Sequence, residues 1–103
     1  MIFGELGDIV GKARKLSDEL KTVQKELSET SFEEDSGGVR VVVTGDMELK
    51  ELRIDPKLLE SGDTKRLEFL ISDSVDKAYS KAKKEATGKF RKLAGGLPIP
   101  GLF

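Results

Sequence analysis

The chain has 103 residues, with 18 lysines and arginines against 19 aspartates and glutamates, for a formal net charge of −1. That length holds one domain at most, with a modest core, and the absence of cysteine and histidine excludes disulfides, thiol nucleophiles, imidazole bases and the common zinc sites. Charged residues make up 36% of the chain, against about a quarter in ordinary domains, so a small core carries much surface and self-association would relieve it.

The opening MIFGELGDIVGKARK has acids early and lacks the apolar run of a signal peptide. No stretch reaches the roughly 18 apolar residues of a membrane span, so a soluble cytoplasmic protein is expected. Leu6 to Leu27 predicts a first helix. Leu6, Ala13, Leu20 and Leu27 recur every seven residues, with Ile9, Leu16 and Val23 three residues after the first three of them. This is an a/d seam, the pattern that buries a narrow stripe against another helix. Its partner is the rest of the same chain, a second copy, or both in part; the strict 3.5-residue period favours a long supercoiled partner.

From Ser28 to Asp35 the acids Glu29, Glu33, Glu34 and Asp35 surround Phe32. The pattern predicts a helix end passing into an edge strand, with the adjacent acids as solubility devices. Ser36-Gly37-Gly38 predicts a turn. Val39 to Thr44, VRVVVT, is the clearest strand, with Val39, Val41 and Val43 on one face. Gly45-Asp46 predicts a second tight turn. Met47 to Ile54 predicts the partner strand, whose alternation slips, so a bulge near Lys50-Glu51 is expected. The expected fold class is α+β: an N-terminal helix, a three-stranded antiparallel meander too small to stand alone, and a long C-terminal helix.

Asp55 as N-cap and Pro56 at the first helical position predict a short helical turn, broken at Gly62. Asp63 then caps a long helix from about Thr64 to Leu93, with Leu67, Ile71, Val75, Ala78, Ala82, Ala86, Phe90 and Leu93 on one arc. Gly88 marks a site for a kink or early fraying. Residues 95–103, GGLPIPGLF, form a Gly/Pro-rich tail to a single domain spanning 1–103.

Between Asp76 and Lys92 seven cations face two acids, a local charge of +5 in a chain whose remainder is −6. Lys77, Lys81, Lys84 and Arg91 share one helical stripe, with Lys92 close to it. The stripe is expected to lack the i,i+4 acids that Lys15–Glu19 and Lys25–Glu29 have. On the first helix Arg14 and Lys21 share a face with Lys25, and Lys12 and Lys15 add charge nearby. A lysine-rich helix face is ordinarily a solvated one. One-sidedness over about 20 Å instead suits a polyanion, each cation meeting a phosphate and releasing counterions. The candidate DNA contacts are Lys12, Arg14, Lys15, Lys21, Lys77, Lys81, Lys84, Arg91 and Lys92, giving affinity without base readout. No catalytic triad, metal-ligand constellation or phosphate-binding loop is present in the sequence. No enzyme activity, cofactor or small-molecule substrate is expected.

The stretch GGVRVVVTGDMELKELRIDPKLLE, residues 37–60, resembles the YbaB/EbfC family of bacterial nucleoid-associated proteins, above all in Ile54-Asp55-Pro56-Lys57-Leu58-Leu59. The opening leader and helix and the tail LPIPGLF are similar to the family's ends, so the resemblance covers almost the whole chain. Where the family commonly carries Asn-Asp-Ala in the last helix, this sequence has Asp76-Lys77-Ala78, and no role is carried over to that position. The resemblance implies an intertwined homodimer with helices projecting like tweezers, which fits the periodic seam at Leu6, Ile9, Ala13, Leu16, Leu20, Val23 and Leu27 that needs a partner. It also implies binding of duplex DNA with little sequence preference, organisation of the nucleoid and an influence on transcription.

An alternative is a protein–protein adaptor, with Leu97, Ile99, Leu102 and Phe103 as a docking peptide and the lysines meeting an acidic partner. RNA is a third ligand that charge alone does not separate from DNA.

Overall fold

The computed structural model of the chain describes residues 2–95; the tail beyond Gly95 lies outside them. Its elements are α1 (Ile2–Glu29), β1 (Ser31–Ser36), β2 (Val39–Thr44), β3 (Leu49–Ile54), α2 (Pro56–Glu60) and α3 (Thr64–Ala94). The α+β order expected from the sequence is the one observed. The three strands form an antiparallel meander in the order β1-β2-β3.

Register in the sheet follows from the valines. Val42 stands opposite Glu51 and Val43 opposite Leu49, so Lys50 is the extra residue of a bulge. That insertion turns Leu49, Leu52 and Ile54 to the same face as Val39, Val41 and Val43, as the slipped alternation demanded. β3 begins two residues later than expected, because Met47 takes a left-handed φ of 68° in the β2–β3 turn.

Helix ends obey local rules. The Asp55 carboxylate accepts from the Lys57 N–H at 3.0 Å and that of Asp63 from the Arg66 N–H at 3.0 Å, satisfying donors that have no intrahelical partner. Gly95, with φ 60°, closes α3. The helix runs through Gly88 unbroken to Ala94, so the expected fraying there does not occur.

α3 lies across β1 and β2. Val39, Val41 and Val43 are fully buried beneath it, facing Leu70, Ala78 and Ala82. Ser74, Ala78 and Ala82 recur every four residues and are all fully buried; side chains this small let the helix sit close on the valines. Leu67, Ile71 and Val75, expected in the core, flank this line half-buried. The buried line therefore includes Leu70 and Ser74, which apolar periodicity had passed over.

Ser74 Oγ has no hydrogen-bond partner. An unsatisfied buried hydroxyl costs about 1–3 kcal/mol, so Ser74→Ala is expected to stabilise the fold. A gain of about 1 kcal/mol would raise Tm by about 4–8 °C, readable by calorimetry; an unchanged or lower Tm would show that the hydroxyl is satisfied in solution.

Among the described residues α1 is held to this body mainly through its C-terminal half. Leu27 is 3% exposed, and the Gly45 N–H donates to the carbonyls of Leu27 and Thr30 at 2.9 and 3.0 Å. Glu19, Val23 and Glu26 share a groove with Glu85, Lys89 and Leu93 of α3. The helices run antiparallel there, and the first half of α1 passes beyond the end of α3. The molecule is accordingly 75 Å long and 23 Å across.

Candidate nucleic-acid interface

The apolar seam of α1 divides in two. Leu27 is buried and Val23 and Leu20 are half-buried, whereas Leu16, Ala13, Ile9 and Leu6 are exposed, Ile9 at 63%. A second apolar surface lies on the sheet. α3 leaves β3 largely uncovered, so Leu49 and Leu52 stand exposed beside Met47 on the core-facing side.

The cations of α1 lie on its exposed sides. Arg14 and Lys15 line a groove with Asp18, Glu19, Thr22 and Leu93, which brings them to the last turns of α3, where Arg91 and Lys92 sit. Lys12 and Lys21 are exposed. None of these four α1 cations has an ion-pair partner among the described residues.

On α3 the expected acid-free stripe is corrected at two of its four members. Lys77 Nζ lies 2.9 Å from Asp73 Oδ2, an i,i+4 pair. The hydrogen bond to Asp73 and then its charge hold the ammonium above the usual lysine range against desolvation, the charge of Glu34 adding least. Lys81 Nζ lies 2.5 Å from Glu34 Oε2 and donates to the Glu33 carbonyl at 2.9 Å. The acids of β1 are thus engaged rather than merely solvated: Glu34 meets Lys81, and Arg40 spans Glu33 at 2.8 Å and Asp35 at 3.5 Å. Lys89 is tied to Glu26 at 3.0 Å.

Lys84, farther along the stripe, differs. Ser80, Lys83, Lys84, Thr87, Gly88 and Arg91 line one groove on the outer face of α3. Lys83 and Lys84 have no ion-pair partner among the described residues. A Cβ added at Gly88 would meet nothing within 4 Å, so backbone is open there to close approach. Sequence reasoning left out Lys83, Ser80 and Thr87. The signal was available in Ser80-Lys84-Thr87-Arg91, hydroxyls and cations alternating at steps of four, three and four. Ammonium and hydroxyl donors suit phosphate oxygens and carry no base-edge code.

Among the described residues no group of three or more acids is placed to hold a metal, and no helix is long and apolar enough to cross a membrane. Fold and surface define a class: a small α+β protein whose chemistry is that of cations displayed on long helices. The chain belongs to the YbaB/EbfC DNA-binding family, whose model matches residues 3–97; this is a family of DNA-binding proteins rather than of enzymes. It is similar to nucleoid-associated proteins of Acetivibrio thermocellus (38% identical, covering 97% of this chain and 91% of that protein) and Clostridium acetobutylicum (34% identical, 96% and 90%). The fold matches the crystal structure of an uncharacterised protein from Helicobacter pylori, with a TM-score of 0.75 at 20% identity over 84% of this chain and 94% of that one.

Proposed function

We propose that two copies of this chain pair and bind duplex DNA through cations on their long helices, with little sequence preference, so organising the nucleoid and modulating transcription. The observation that carries this reading is the placement of cations without an ion-pair partner among the described residues, Arg14 and Lys15 on α1 and Lys83 and Lys84 on α3, in a chain of a DNA-binding family. Pairing is supported by the exposed half of the α1 seam and by Leu49 and Leu52 on β3, apolar surfaces that a single chain leaves in water. Two chains display two sets of cations, and bivalency turns a weak contact into a useful one. Relatives named as nucleoid-associated proteins support a place on the bacterial chromosome in the cytoplasm.

Titration of unrelated duplexes at rising salt tests this. Affinities should agree across sequences, and log affinity should fall against log salt by about 0.9 for each phosphate neutralised. Absence of binding at about 50 mM salt, where such contacts are strong, would overturn the reading. The adaptor alternative rests on the same lysines meeting an acidic partner and on Leu97, Ile99, Leu102 and Phe103, which lie outside the described residues.

A further inference from the structure

We propose that Glu34 and Asp73 act as an internal acidic guard, holding Lys81 and Lys77 out of the DNA contact and confining that contact on α3 to the outer groove at Lys83 and Lys84. The inference rests on the DNA-binding reading and specifies its footprint.

The guard is built into the fold. Glu34 projects from β1 onto the face that α3 covers, between Phe32 and Ser36, and its side chain is only 18% exposed. Its position is therefore set by the sheet rather than by a freely swinging surface rotamer. Lys81 spends two of its three donors on the Glu34 carboxylate and the Glu33 carbonyl. Lys77 is bonded to Asp73 one turn earlier on α3 and also lies in the field of Glu34. A phosphate approaching either lysine meets a carboxylate already in place, so that each pair presents little net charge. Like-charge repulsion then opposes the counterion release that drives binding.

The outer groove has the opposite character. Lys83 and Lys84 face Ser80, Thr87 and the open backbone at Gly88. Asp76 lines the neighbouring groove with Met47, Tyr79 and Lys83 but makes no ion pair with that lysine. One helix thus carries neutralised cations at Lys77 and Lys81 and receptive ones at Lys83 and Lys84. The last turns, which lie beside the α1 cations, are where the duplex would rest. Holding two lysines out of the contact keeps affinity and salt dependence low.

The full chain and three variants, Glu34→Gln/Asp73→Asn, Lys77→Gln/Lys81→Gln and Lys83→Gln/Lys84→Gln, are titrated with one duplex by anisotropy from about 50 to about 200 mM salt, the range in which phosphate contacts weaken most visibly. Removing the guard should tighten binding at low salt and steepen the log–log slope by about 0.9 for each released lysine that reaches a phosphate. Each such contact adds about a 3.5-fold loss over that fourfold rise in salt. Lys77→Gln/Lys81→Gln should stay within about twofold of the wild type, while Lys83→Gln/Lys84→Gln flattens the slope by about 0.9 per lysine. A wild-type slope in Glu34→Gln/Asp73→Asn overturns the guard. So does an equal loss in the two lysine variants, a result that needs no acid-substituted chain to fold. A wild-type chain that binds no duplex at low salt sinks the DNA-binding reading itself, and the guard with it.

Discussion

Ile9→Asp combined with Leu16→Asp is expected to leave each chain folded, separate the pair, and weaken duplex binding by about a hundredfold or more, the scale on which bivalent contact exceeds a single one. Ile9 is 63% and Leu16 39% exposed in the single chain, and Ile9 lies where α1 has passed beyond the end of α3. Neither substitution opens a cavity in the core built on Val39, Val41, Val43, Ala78 and Ala82. Between two copies the same positions would be buried, and an unpaired carboxylate in an apolar seam costs several kcal/mol even after relaxation. Sedimentation velocity and circular dichroism separate the two effects. A wild-type chain that sediments as a monomer, or a double variant that still sediments as a pair, would show that the α1 seam does not join the copies.

Gly45→Ala is expected to destabilise the fold by about 3 kcal/mol, the upper end of what overpacking costs, and a sizeable share of a total of about 5–15 kcal/mol. A Cβ at this position would lie 2.7 Å from the Leu27 carbonyl oxygen and 3.0 Å from Leu27 Cα. Backbone atoms give way only if the segments part, and parting them breaks the Gly45 N–H bonds to the Leu27 and Thr30 carbonyls. Those bonds fix the end of α1 against the β2–β3 turn, so the substitution also loosens the root of the projecting helix. Gly88→Ala makes the contrast, because it meets open space inside a helix, where alanine is favoured by about 1 kcal/mol. Thermal unfolding of both variants should shift Tm in opposite directions. Equal shifts would show that the close approach at Gly45 is relieved at no cost.

Both predictions turn on what a residue touches at long range, and there the sequence was least informative. Gly45 carries the signature of a turn glycine and sits in a turn, but its constraint comes from Leu27, eighteen positions earlier along the chain. The seam of α1 was legible as a periodic stripe; its division into a half that meets α3 and a half that meets water was not. Lys77 and Lys81 looked alike on the helix wheel, yet their partners are Asp73 one turn away and the Glu33–Glu34 segment, the Lys81–Glu33 bond joining residues 48 positions apart.

By itself the sequence determined the elements: the caps at Asp55 and Asp63, the valine strand, the bulge at Lys50, the seven-residue period of α1 and the late cluster of cations. Each of these depends on groups within a few residues of one another, where chain geometry leaves few arrangements. Tertiary packing alone decided that Ser74 joins the core, that Leu49 and Leu52 remain uncovered, and that Lys81 is neutralised by β1, whereas the Lys77–Asp73 pair spans one helical turn. Helix propensity and periodicity are indifferent to such choices. They are made when α3 settles across β1 and β2, leaves β3 bare, and brings the acids of the edge strand against one side of the basic helix.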